Sequence, residues 1–229
     1  MTAPFRDRRR AGRELAEALA GLDLQQPVLL ALPRGGVPVA EEIAAALKAP
    51  LDLVIVRKVG APDNPELAVA AIVDGNPPDV VLNRDIVEAY GLDDDELAAL
   101  IKRERPELER RRLAYLGKGR PLSITGRTAV LVDDGAATGV TVKVAVRALR
   151  RRSPREIVVA IPVAPPETVR ELEQEADRVV CLRQPARFLA LGYHYQQFPQ
   201  VSDEEVVAAL TAARRRARQS RLRASGGEP

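Results

Sequence analysis

Short, almost wholly apolar runs bounded by proline, glycine or charge recur along the chain, and the stretches between them space their apolar residues as helices do. A strand that is apolar on both faces must be covered on both, so the pattern predicts parallel strands between layers of helices, an α/β fold. The predicted strands are Val28–Leu32, Leu51–Val56, Ala129–Val132, Ile157–Pro162 and Arg178–Leu182, with helices at Val37–Leu47, Gly139–Arg151 and Pro166–Glu175 between them. Ahead of the first strand, Arg8–Leu22 sets Leu15, Ala18, Leu19 and Leu22 along one helical face. After the last, Ser202 with Glu205 forms a capping box that opens a terminal helix reaching about Arg216.

One stretch breaks the alternation. About seventy residues separate the second strand from Thr128, far more than an ordinary βα connection needs. Within it, Leu67–Val73 and Val80–Leu82, joined through Gly75-Asn76-Pro77-Pro78, read as a two-strand excursion. Asp93–Leu116 then reads as a long charged helix that Pro106 kinks or splits.

Composition narrows the function classes. With 46% hydrophobic and 29% charged residues over 229 positions, disordered and fibrous architectures are excluded. A lone cysteine, Cys181, forms no intramolecular disulfide, and a lone histidine, His194, rules out a two-histidine metal site. Met1–Arg13 is charged and lacks the apolar core of a signal peptide, so a cytoplasmic protein with no membrane partner is expected. The net charge of +3 invites a nucleic-acid reading, but it is local. Six arginines against Glu228 give Ala212–Pro229 a charge of +5, which leaves −2 for the remainder. Such a tail reads as a solvated helix end rather than a binding arm.

The segment richest in chemistry is Ala129-Val130-Leu131-Val132-Asp133-Asp134-Gly135-Ala136-Ala137-Thr138-Gly139-Val140-Thr141. An apolar strand delivers two adjacent carboxylates at its C-terminal end, where open α/β sheets bind ligands. The small residues that follow keep side chains clear, so backbone amides and the Thr138 and Thr141 hydroxyls can converge on an anion where the next helix begins. Paired acids beside a phosphate need neutral hydroxyls or a metal as partners, and a ribose diol supplies hydroxyls. A Walker loop is excluded because Val140, not lysine, follows Gly139, and no G-x-G-x-x-G run is present.

These thirteen residues resemble the signature of the type I phosphoribosyltransferases, which bind 5-phosphoribosyl-1-pyrophosphate (PRPP). The resemblance implies that Asp133 and Asp134 hold the ribose hydroxyls while Ala136, Ala137, Thr138, Gly139, Val140 and Thr141, with Gly135 opening the turn, hold the 5′-phosphate. Two further segments match in the family's order. Pro33-Arg34-Gly35-Gly36 follows the first strand, where relatives often carry a non-proline cis peptide facing pyrophosphate. Arg57-Lys58-Val59-Gly60 resembles the start of the flexible loop of adenine phosphoribosyltransferases. The likeness extends to uncharacterised bacterial proteins carrying the phosphoribosyltransferase name, including their Asp203-Glu204-Glu205-Val206.

The fold implied is a mainly parallel five-stranded sheet flanked by helices, with a long insertion after the second strand and a hood from terminal segments. The domain plan is one domain over residues 1–216, holding a flexible-loop and helical insertion at 58–127 and a hood at 183–201, then a fraying basic tail at 217–229. The activity implied is transfer of 5-phosphoribose from PRPP to a purine- or pyrimidine-like base with release of pyrophosphate, a reaction of nucleotide metabolism. It would use Mg²⁺ bridging substrate oxygens, with no dedicated protein metal cluster. Arg34, Arg57 and Lys58 would add positive charge beside the pyrophosphate.

Hypoxanthine–guanine enzymes place a third acid where this chain has Ala137, so a general base must come from elsewhere. Glu66, in Asn64-Pro65-Glu66-Leu67, is the candidate, as in adenine enzymes. Four of the seven aromatics fall between Phe188 and Phe198. Phe188, Tyr193 and Tyr195 are the candidate base-stacking surface, although the same cluster could instead pack the terminal helices. Relatives commonly form homodimers whose neighbouring subunit completes the site. The alternative function is a non-catalytic PRPP- or nucleotide-binding regulator acting on nucleic acid.

Overall fold

The structure, a computed structural model, describes residues 3–75, 77–117, 119 and 121–225, without the side chains of Glu66, Ala217, Arg218 and residues 220–225. In chain order the elements are α1 (Arg8–Ala20), β1 (Val28–Ala31), α2 (Gly36–Ala46), β2 (Leu51–Leu53), β3 (Val56–Ala61), β4 (Asn64–Val73), β5 (Asp79–Leu82) and α3 (Arg84–Ala89). There follow α4 (Asp94–Leu116), β6 (Thr128–Val132), α5 (Val140–Arg150), β7 (Glu156–Val163), α6 (Pro166–Glu173), β8 (Arg178–Arg183) and α7 (Asp203–Ser225).

The central sheet has the order β2-β1-β6-β7-β8, with every neighbouring pair parallel. Alternation along each strand divides the core in two. Leu29, Ala31, Val130, Val132, Val158 and Ala160 pack with Leu15, Leu19, Ile43, Val206 and Leu210 from α1, α2 and α7. Leu30, Leu131, Val159 and Ile161 face the other way, onto Val142, Val146, Leu149, Val169 and Leu172 of α5 and α6. The expected α/β fold and its five strands are present.

Register sets up the site. Ala31 at the end of β1 pairs with Val132 at the end of β6, so the segments that follow leave the sheet side by side. The amide of Leu32 still donates to the Val132 carbonyl at 2.9 Å.

The insertion departs from expectation. The apolar run Leu51–Val56 is two strands, because Val54 and Ile55 are buried where the chain crosses from one sheet to another. Val56–Ala61, expected as the start of a loop, is the first strand of an antiparallel sheet β3-β4-β5, so the excursion has three strands rather than two. Helix α4 runs unbroken through Pro106, starting from a capping box between Asp93 and Glu96 and covering the small sheet with Leu97, Leu108 and Tyr115.

At the termini, α1 buries Arg8, Ala11, Gly12, Leu15, Ala16 and Leu19, whereas Ala18 is exposed. The Ser202–Glu205 capping box is present, and α7 continues past Arg216 to Ser225. Gly226–Pro229 of the basic tail lie outside the described residues. Among the described residues no helix is long and apolar enough to cross a membrane.

Candidate functional site

β6, the central strand, delivers Asp133 and Asp134 at the C-terminal end of the sheet, and the turn beyond them is pinned from two sides. The amide of Ala136 donates to Val163 O at 3.0 Å, and Thr168 Oγ1 donates to Ala137 O at 2.8 Å. Gly139 takes φ +65°, the left-handed conformation that glycine adopts without penalty, and swings the chain into α5. The first amides of α5 have no intrahelical acceptor, so Val140, Thr141 and their neighbours present N–H groups beside the exposed Ala137 and Thr138.

The segment after β1 lies directly against this turn. The Pro33–Arg34 peptide bond is cis, and the Gly36 amide returns to Leu32 O at 3.0 Å. Gly35 and Gly36 leave no room for side chains, since a Cβ on Gly36 would sit 2.6 Å from Val132 O. Arg34 is half exposed, with its guanidinium 3.6 Å from the Asp203 carboxylate at the start of α7.

The two acids differ electrostatically. Asp134 is buried, and Arg8 Nε donates to its Oδ2 at 2.7 Å. Asp133 Oδ1 accepts the Asp134 amide at 2.9 Å. Burial, and then the neighbouring Asp134 charge, hold the Asp133 carboxyl well above the usual carboxylate range. Among the described residues, Asp133 Oδ2 and Asp134 Oδ1 receive no hydrogen bond from the chain. Each acid thus keeps one carboxyl oxygen without a backbone or guanidinium donor among the described residues.

The basic pair is divided by strand alternation. Arg57 turns toward α4 and is bound by Glu104 at 2.8 Å. Lys58 faces the other way, into a cavity of about 600 Å³ that it lines together with Val140 and Thr141 of the anion turn. Of the two, the strand brings Lys58 to the cavity beside the start of α5. Glu66 lies in β4 close to the hairpin tip, and its side chain is outside the described residues.

The hood aromatics take different places. Tyr195 is buried between Phe5 and Phe198, with ring centres 5.6 and 4.9 Å away, and its hydroxyl donates to Asp134 O at 2.5 Å. Phe188 stacks on His194 at 4.8 Å, and Tyr193 is 73% exposed. Leu191, from the short 3-10 turn Leu191–His194, covers Gly135, where a Cβ would lie 2.3 Å from Leu191 Cδ1. Cys181 is partly buried, its thiol pushed up to about 11 by burial, which leaves it unreactive near neutrality.

A family model described as the phosphoribosyl transferase domain matches residues 6–197, which includes both loops and most of the hood. The chain belongs to the phosphoribosyltransferase family. Two Mycobacterium tuberculosis proteins, from strains CDC 1551 and H37Rv and provisionally named phosphoribosyl transferases, are each 46% identical to it over 211 residues. The match takes in 92% of this chain but 47% of theirs, so the chain spans about half the length of these curated relatives. The crystal structure of TT1426 from Thermus thermophilus superposes with a TM-score of 0.79 at 45% identity, covering 91% of this chain and 98% of that one.

Sequence reading did not find Arg8. A signal existed: Arg8 falls on the same helical stripe as Ala11, Leu15 and Leu19, an apolar face where a cation needs a partner. Nor did it find Leu191 or the Phe5–Tyr195–Phe198 stack, which exist only once both termini meet. For magnesium, the described residues hold no group of three or more acidic, histidine or cysteine ligands. That donor set fits an ion held largely by substrate oxygens, as Mg²⁺ tolerates, with Asp133 the available protein carboxyl.

Proposed function

We propose that this phosphoribosyltransferase moves 5-phosphoribose from PRPP to a nitrogenous base, purine- or pyrimidine-like, and releases pyrophosphate. The observation that carries the reading is the contact between the two loops: Gly35-Gly36 rests on the Asp133-Asp134 turn, so an anion held at one lies next to hydroxyls held at the other.

In this reading the amides and hydroxyls of Ala136–Thr141 bind the 5′-phosphate. A helix N-terminus alone contributes only about 0.3–1 kcal/mol per charge, so several convergent hydrogen bonds must do most of the holding. Asp133 Oδ2 and Asp134 Oδ1 accept the two ribose hydroxyls, which orients C1. Arg34 and the Gly35-Gly36 backbone face the departing pyrophosphate and stabilise charge that grows as the C1–O bond lengthens, while Lys58, which shares a cavity with Val140 and Thr141, adds charge on the 5′-phosphate side. Asp133 would help hold Mg²⁺, which when bound neutralises part of the pyrophosphate charge. Glu66, near the hairpin tip, is the proposed base that takes the acceptor's proton, and Tyr193 and Phe188 are the hood groups proposed to meet the acceptor.

The test is pyrophosphate release on mixing the chain with PRPP, Mg²⁺ and a panel of purine and pyrimidine bases. Release that depends on one base supports transfer and identifies the acceptor. Absence of PRPP binding by calorimetry in the presence of Mg²⁺ overturns the reading.

A further inference from the structure

We propose that Arg8 is a positioning residue for the donor site: it holds Asp134 so that one carboxyl oxygen stays aimed at the ribose. The proposal rests on the PRPP reading above and adds a residue from the N-terminal helix to it.

Arg8 makes three contacts at once. Its Nε donates to Asp134 Oδ2 at 2.7 Å, one terminal nitrogen donates to Pro199 O at 2.6 Å, and its guanidinium carbon lies 3.7 Å from the centre of the Phe198 ring. Both partners of the ion pair keep only 10% of their side-chain surface exposed. A planar guanidinium fixed at three points has little freedom left, and so neither has the carboxylate it holds. Tyr195 secures the same residue from the hood by donating to the Asp134 carbonyl. Asp134 is therefore gripped at backbone and side chain, with Oδ1 as its remaining acceptor.

Local energetics oppose this placement. Arg8 stands at the first position of α1, whose first turn contains no acid, and a cation there faces the positive end of the helix. Its neighbours Arg9 and Arg10 find partners at the surface in Glu42 and Glu14, but Arg8 points inward. Two adjacent carboxyls also repel each other, and without a countercharge the diacid would lose its fixed geometry. Arg8 offsets that repulsion through Asp134 Oδ2, leaving Oδ1 without a guanidinium partner. A break with local preference whose one charged partner is an acid of the proposed ligand site points to a functional constraint.

A purely structural role makes a different forecast. Arg183 also clamps the N-terminal strap, lying 3.4 Å from the centre of the Phe5 ring and donating to the Ala3 carbonyl, yet among the described residues it makes no hydrogen bond or ion pair with Asp134. It is the control for loosening the strap alone.

The experiment compares kcat, the KM for PRPP and thermal unfolding in the parent, Arg8→Gln, Arg8→Lys and Arg183→Gln, with calorimetry of PRPP and Mg²⁺ on the parent. The expected result is a rise in PRPP KM of about tenfold or more in Arg8→Gln with a smaller change in kcat, the loss of roughly one charged hydrogen bond. Arg8→Lys, which keeps the charge but cannot make all three contacts, falls between it and the parent. Arg183→Gln unfolds at lower temperature with KM within about twofold of the parent, as expected for a contact remote from the donor. An unchanged KM in Arg8→Gln overturns the proposal, and so does an equal rise in Arg183→Gln. If Arg8→Gln does not fold, a parental KM in Arg8→Lys overturns it. A parent that binds no PRPP removes the underlying reading as well, an outcome distinct from a parent that binds and an Arg8 variant that binds equally.

Discussion

Gly35 and Asp134 touch across the cleft, so closely that a Cβ on Gly35 would lie 2.1 Å from Asp134 Oδ2. The contact locks the loop after β1 to the turn after β6, and with it the proposed pyrophosphate and ribose subsites. Gly35→Ala must push one loop off the other. Overpacking of this kind costs about 1–3 kcal/mol, and both a lower unfolding temperature and weaker PRPP binding are expected. Parental values of both would show that the loops are not in register.

Lys58 and Arg57 are adjacent in sequence and face opposite sides of β3. Lys58→Ala is expected to raise the KM for PRPP about tenfold, the loss of one charge-assisted contact. Arg57→Ala removes the pair with Glu104, a partly exposed bridge, and is expected to lower stability by at most about 1 kcal/mol with PRPP affinity retained. Steady-state kinetics with varied PRPP separates them, and an equal rise in KM for both would contradict the division of the pair.

Glu66→Gln keeps the size of the side chain and removes its basicity. General base catalysis contributes about a hundredfold or more, so turnover should fall by that order while PRPP affinity holds. Equal turnover in variant and parent removes Glu66 from the mechanism.

Tyr115 of α4 donates to Asp203 Oδ1 at 2.6 Å, and burial followed by that hydrogen bond pushes its phenol up to about 12 from 10.0. The folded state then keeps a proton that the unfolded chain releases earlier. The contribution is complete below the unfolded value and disappears as pH rises through the folded one. The stability difference between the parent and Tyr115→Phe should accordingly shrink between about pH 10 and pH 12, where unfolded and folded phenols titrate. Denaturant midpoints across that interval measure it, and a difference that stays constant would rule the linkage out.

The central strands were legible because helices cover both of their faces, which leaves runs such as Val28–Leu32 with no polar position. The diacid turn was legible because its chemistry is continuous in the chain. Strand β3 was not, because half-buried Arg57 and Gly60 and exposed Lys58 interrupt its apolar positions. The crossing at Val54 and Ile55 has the composition of a strand interior and reads as one. Arg8 shows the limit most clearly. The apolar stripe of Ala11, Leu15 and Leu19 turns Arg8 inward, but its partner Asp134 lies 126 positions away and nothing local in Arg6–Arg10 names it.

Because Phe5 bonds to His194 and Gln196 while Arg8 reaches Pro199, the opening segment of the domain is completed by one of its last. A ribosome releases Asp134 long before Tyr195, Phe198 and Pro199. The nascent chain therefore carries the diacid turn without its clasp until translation has passed the hood.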